Sequence, residues 1–131
     1  MRLANQEAVA FLRGANSVRD GRLIGLAIQE IDWCPAIDLI FDVPRGEHGN
    51  IYKLELRSVE HFDYQFSGEN TPYEIAMVKC LWTEDASFYL SLDPWKENEA
   101  FVSEQDNDCF KAKSVTLTVT RETTAEPAAG S

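Results

Sequence analysis

Two histidines in 131 residues leave little scope for imidazole chemistry, and the familiar catalytic signatures are missing as well. The chain has no G-x-S-x-G elbow, no H-E-x-x-H, no glycine-rich phosphate loop with its lysine and no G-x-G-x-x-G opening a helix. Those absences exclude the common hydrolase, zinc-protease and nucleotide-binding patterns. Long apolar runs are lacking too: none approaches the roughly 18 residues of a membrane helix, and the start, MRLANQEAVAFLRG, has no secretory h-region. Cysteine is sparse. Cys34, Cys80 and Cys109 are odd in number and form no C-x-x-C pair, which argues against a disulfide framework and for a reducing, cytoplasmic location.

Basic residues are scarcest where acids are densest. Net charge is −10; residues 1–57 carry eight acids and seven bases, whereas residues 58–108 carry twelve acids and two bases. The central segment therefore holds an imbalance as large as that of the whole chain. Its field opposes nucleic acid and anionic membrane and favours basic proteins or cations.

What is present points to a folded, mainly β domain. Apolar residues make up 44% and charged residues 26%, near the globular average and far from the composition of disorder. A short helix is expected first, with Asn5 as N-cap, Glu7 in the first turn, Ala8, Phe11 and Leu12 at helical spacing, and Gly14 as a left-handed cap. Alternation then takes over. Ile24, Leu26 and Ile28 predict one strand face, with a slip near Glu30 returning Ile31 and Trp33 to the core. Ile37, Leu39, Phe41 and Val43 oppose Asp38 and Asp42, and PRGEHGN predicts a turn with two glycines able to take positive φ. Tyr52, Leu54 and Leu56 oppose Lys53, Glu55 and Arg57. Phe62, Tyr64 and Phe66 continue that pattern, as one bent strand or two short ones. YEIAMVKCLW and SFYLSL flank the polar tip TEDA as a hairpin, with Trp33 and Trp82 read as core, and SVTLTVTR supplies a last strand. The expected architecture is an antiparallel sandwich or curled sheet of about seven strands with one N-terminal helix. A single domain is expected over 1–121, with a frayed tail at 122–131.

The segment DPWKENEAFVSEQDND, residues 93–108, breaks the alternation. Asp93 and Pro94 fit an N-cap and first helical position, and Trp95 and Val102 would share a face, so a short helix is expected near 94–102. Ser103 and Asp106, three apart, resemble a capping box. From Glu97 to Asp108 there are five carboxylates and no basic residue. Carboxylates so close repel one another unless a cation or basic surface meets them.

The expectation is a non-enzymatic, cofactor-free binding domain. Trp95, Glu97, Glu99, Glu104, Asp106 and Asp108 would meet a basic protein partner, with the aromatic ring as anchor. In charge and size the chain resembles small bacterial immunity proteins that neutralise basic nuclease toxins. The resemblance is one of composition, and it implies an immunity-type or regulatory role. The alternative is a calcium- or carbohydrate-binding module using the 93–108 carboxylates and Trp95, although no EF-hand glycine or twelfth-place glutamate accompanies the acids. Cys80 lies in an apolar strand, and His61 and Asp63 suit a solvent face, so neither a thiol nor an imidazole stands out as a catalyst.

Overall fold

A computed structural model describes residues 1–64 and 73–122; Phe66 and the tail beyond 122 lie outside them. The elements run β1 (Arg2–Ala4), α1 (Gln6–Leu12), β2 (Arg22–Ile31), β3 (Cys34–Asp42), β4 (Ile51–Asp63), β5 (Tyr73–Glu74), β6 (Lys79–Trp82), β7 (Phe88–Asp93) and β8 (Asn107–Thr120). The expected mainly β fold holds. Seven strands form one antiparallel sheet in the order β5-β2-β3-β4-β8-β7-β6, and β1 joins at β8. The fourteen-residue β8 is the seam: one side pairs with β4, while the other takes β7 at 107–112 and β1 at 116–118.

Period-two patterning decides which side of the sheet is dry. Ile37, Leu39 and Phe41 of β3, Tyr52, Leu54 and Leu56 of β4, Phe88, Leu90 and Leu92 of β7, and Val115, Leu117 and Val119 of β8 are all buried in one core. Cross-strand pairing stacks them in register, with Leu39 opposite Leu54 and Leu54 opposite Leu117. Helix α1 closes part of this face with Ala8, Val9 and Leu12. On the opposite face of β3 and β4, Arg57 binds Asp38 across the strands at 2.9 Å and Glu55 along its own strand at 3.2 Å, the charge pairing that alternation implies. Strand β4 is one long strand, with its register shifted between Val59 and His61. That bulge explains why periodicity alone could not join the two halves.

Several local expectations are corrected. Asn5 caps no helix N–H; its Oδ1 accepts from Val115 N–H at 3.0 Å, tying the start of α1 to β8. The C-cap is Arg13 in a right-handed conformation, so Gly14 makes no left-handed cap. Among the described residues no glycine has positive φ. Gly46 and Gly49 serve close approach instead, since an added Cβ would meet Gly49 O at 2.0 Å and Thr120 O at 2.5 Å respectively. The slip in β2 falls between Leu23 and Gly25, not near Glu30. Trp33 is not core: it is 90% exposed, because Asp32 and Trp33 take φ of 52° and 65° and form the two-residue turn between β2 and β3. Trp82 is partly buried and packs against the core. The run YEIAMVKCLW is broken into β5 and β6 at Ile75, whose N–H and C=O bond to Gly21 O and Asp20 N.

The helix expected near 94–102 does not form. Among the described residues α1 is the only helix, and 94–106 is irregular apart from tight turns. Its polar groups are drawn to partners distant in sequence. Trp95 N–H donates to Asp106 Oδ1, Glu97 accepts from Val78 N–H, and Glu99 and Phe101, two apart as in extended chain, both reach Lys79.

Tyr52 is fully buried, and its hydroxyl has no hydrogen-bond partner among the described residues. Burial raises its pKa, so it stays a neutral, unsatisfied phenol. Tyr52→Phe is expected to stabilise the fold by about 1 kcal/mol, a rise in melting temperature of roughly 3–6 °C. Calorimetry checks this, and a clear fall would show that the hydroxyl has a partner after all.

Candidate functional site

Strands β6, β7 and β8 bury residues on both faces. Cys80, Leu90 and Phe110 point into the main core, so their neighbours Leu81, Tyr89 and Cys109 form a second cluster on the other face. Lys79 lies opposite Ser91 and Ser91 opposite Cys109, which places an ammonium beside this cluster. A charge there must be paired or the fold would not tolerate it. The segment 94–106 passes over this face and supplies the pairing.

Lys79, 1% exposed, donates from Nζ to Asp106 Oδ1 at 3.1 Å, Asp106 Oδ2 at 2.9 Å, Glu99 Oε1 at 2.9 Å and the Phe101 carbonyl at 3.1 Å. The Asp106 carboxylate, with no exposed side-chain surface, also accepts from Tyr89 OH at 2.7 Å, Trp95 N–H at 2.9 Å and Ser103 N–H at 3.1 Å. Ser103 and Asp106 bond reciprocally, because Asp106 N–H returns to Ser103 O at 3.2 Å. The capping-box spacing therefore produced one of its two bonds without a helix, while Ser103 Oγ accepts from Gln105 N–H at 3.1 Å instead. Burial pushes the Asp106 pKa up, but the donors from Tyr89, Lys79, Trp95 and Ser103 outweigh it and leave the pKa lowered. Tyr89 moves the other way, raised by burial and by its bond to Asp106, and it remains a neutral donor. A second clasp lies at the β6 end, where Glu97 takes Val78 N–H at 3.0 Å and Arg19 at 3.1 Å.

The six candidate residues are thus divided. Asp106 and Asp108 are buried, and Glu97 and Glu99 are partly buried and ion-paired. Trp95, 58% exposed, and Glu104 remain on the outer surface. Phe101 and Val102, 62% and 45% exposed, join them there, residues that acidity alone did not single out. Beside them a groove of about 410 Å³ is lined by Trp82, Glu84, Asp85, Phe101, Val102 and Lys111, with Lys111 bound to Asp85 at 2.9 Å. Lys79 was also missed. Its signal in the sequence was a lone base inside an apolar strand, one of only two bases in residues 58–108.

Of the 93–108 carboxylates, Glu99 and Asp106 already bind Lys79 and Glu97 binds Arg19. Among the described residues no group of three or more His, Cys, Asp or Glu side chains could hold a metal ion. The thiols are no better placed for chemistry: burial raises the pKa of Cys80 to about 12 and also raises that of Cys109, while Cys34 is exposed. No helix among the described residues is long and apolar enough to cross a membrane. No family model, curated protein or solved structure matches the chain.

Lys79→Met is expected to cost about 3–5 kcal/mol, because it strands a buried carboxylate, and denaturant unfolding measures the loss. The same variant should loosen the 94–106 segment over Cys109. With the thiol reagent DTNB, the wild-type chain should then show one fast thiol, Cys34, and the variant a second. Calcium should raise the melting temperature no more than sodium chloride at matched ionic strength; a calcium-specific rise would restore the metal reading.

Proposed function

We propose that the protein is an acidic binding domain whose 94–106 segment docks on a basic protein. The observation that carries this reading is the exposure of Trp95, Phe101 and Val102 on a segment whose inner side is clasped by Lys79. Large apolar side chains held out to water on a fixed backbone are costly unless something covers them, and pre-ordering lowers the entropy cost of being covered. Charge selects the occupant. Residues 84–108 hold eight acids and one base, and Glu84, Asp85, Asp93 and Glu104 remain exposed. A partner that brings lysine or arginine around an apolar side chain complements this arrangement, with the apolar group entering the groove beside Phe101 and the cations meeting Glu84 and Glu104.

The role of the acids is accordingly split. Asp106, Glu99 and Glu97 build the platform, while Glu84 and Glu104 face the partner. An immunity-type or regulatory protein that covers a basic surface is the functional class this fits.

Titration calorimetry against a panel of small basic proteins, nuclease domains included, tests the reading at low and physiological salt. The expected result is binding that weakens with salt and falls about tenfold or more in a Phe101→Ala/Glu104→Gln variant of unchanged melting temperature. Binding that ignores both substitutions would overturn it, as would binding to oligosaccharides and to no basic protein.

A further inference from the structure

We propose that Lys79 and Asp106 condense to an intramolecular amide, a covalent bond from Lys79 Nζ to Asp106 Cγ formed with loss of one water. This inference stands on the buried cluster alone, is independent of the partner reading, and makes the ion pair described above the precursor of the bond.

Geometry supplies the first support. With Nζ at 2.9 and 3.1 Å from the two carboxylate oxygens, it meets the edge of the Asp106 carboxylate and lies about 3.3 Å from the carbon between them, a near-attack distance from which a turn of the carboxylate would present its face. The two side chains are 1% and 0% exposed, so water competes poorly for either group. Burial also changes the thermodynamics. In water an ammonium and a carboxylate are favoured over their amide largely by hydration, and a buried pair has given that hydration up. Condensation replaces two desolvated charges with one neutral group.

The neighbours match the needs of the reaction. Glu99 Oε1, 2.9 Å from Nζ, can take a proton from it, and Tyr89 OH and Ser103 N–H both donate to Oδ2, holding the oxygen that departs. Trp95 N–H donates to Oδ1, where negative charge grows as the nitrogen adds and which remains as the amide carbonyl.

The step balances without any co-reactant. One ammonium proton passes to Oδ2, giving a neutral amine facing a neutral carboxyl. Nζ adds to Cγ and loses a second proton to Glu99. Glu99 returns that proton to the Oδ2 hydroxyl, which leaves as water when the Cγ–Oδ2 bond breaks. Nothing is oxidised or reduced, and Glu99 ends as it began. The product would tie β6 covalently to the residue before β8, across a separation of 27 residues, and clamp the intervening 94–106 segment.

Intact-mass measurement of the folded, full-length chain tests this directly. The expected mass is lighter than the sequence mass by one water, with a branched tryptic peptide joining the residues around Lys79 and Asp106 and no cleavage at Lys79. Glu99→Gln should fold and keep the full mass. A wild-type chain at full sequence mass after prolonged incubation would overturn the proposal. So would a water loss mapped elsewhere, for example to a succinimide at Asp20–Gly21. A Glu99→Gln chain that condenses at the wild-type rate would overturn it too, because the proton lost as the bond forms and returned as water leaves passes through Glu99.

Discussion

A buried ammonium must be surrounded by oxygen, and the placement of Lys79 on the second dry face of β6 imposes that demand on everything near it. The partners come from a segment that would otherwise be an acidic loop in water. Asp106 is the centre: one carboxylate collects Lys79, Tyr89 and two backbone N–H groups, so a single side chain fixes two strands and both ends of the 94–106 segment. The desolvation cost is offset only because every one of those contacts is made at once.

This arrangement changes the meaning of the chain's acidity. A run of carboxylates with no base between them reads as a surface awaiting a cation, yet the cation arrives from within, from the middle of an apolar strand. Three of the five, Glu97, Glu99 and Asp106, therefore act as ligands to Lys79 and Arg19. What is left outside is smaller in charge, and Trp95, Phe101 and Val102 are exposed there as well as Glu104. In the proposed docking role, the apolar side chains would matter more than net charge.

The strands were legible because half-burial writes period two directly into the sequence. Ile37–Leu39–Phe41 and Val115–Leu117–Val119 needed no tertiary information to be placed on one face. Errors gathered where a residue had two roles open to it. Asn5 was a sound helix cap by type, but the strand beside it offered its side chain a backbone donor, Val115 N–H. Trp33 looked like core by composition, and a two-residue turn put it in water. Asp93–Pro94 favoured a helix start, but long-range bonds to Asp106 and Lys79 outweighed that preference.

From the sequence alone follow the mainly β fold, the N-terminal helix, the dry faces of β3, β4, β7 and β8 and the location of the acidic segment. Each is set by local periodicity or by composition. On β2, by contrast, the expected core residues Ile24 and Ile28 are 47% and 61% exposed and Leu23 is buried instead. The pairing of β1 with β8, the second buried face of β6 to β8 and the division of the carboxylates into inner ligands and outer surface were decided by tertiary structure. Those depend on which residues meet across 20 or more positions, and a charge carries no mark in sequence of the partner it will find.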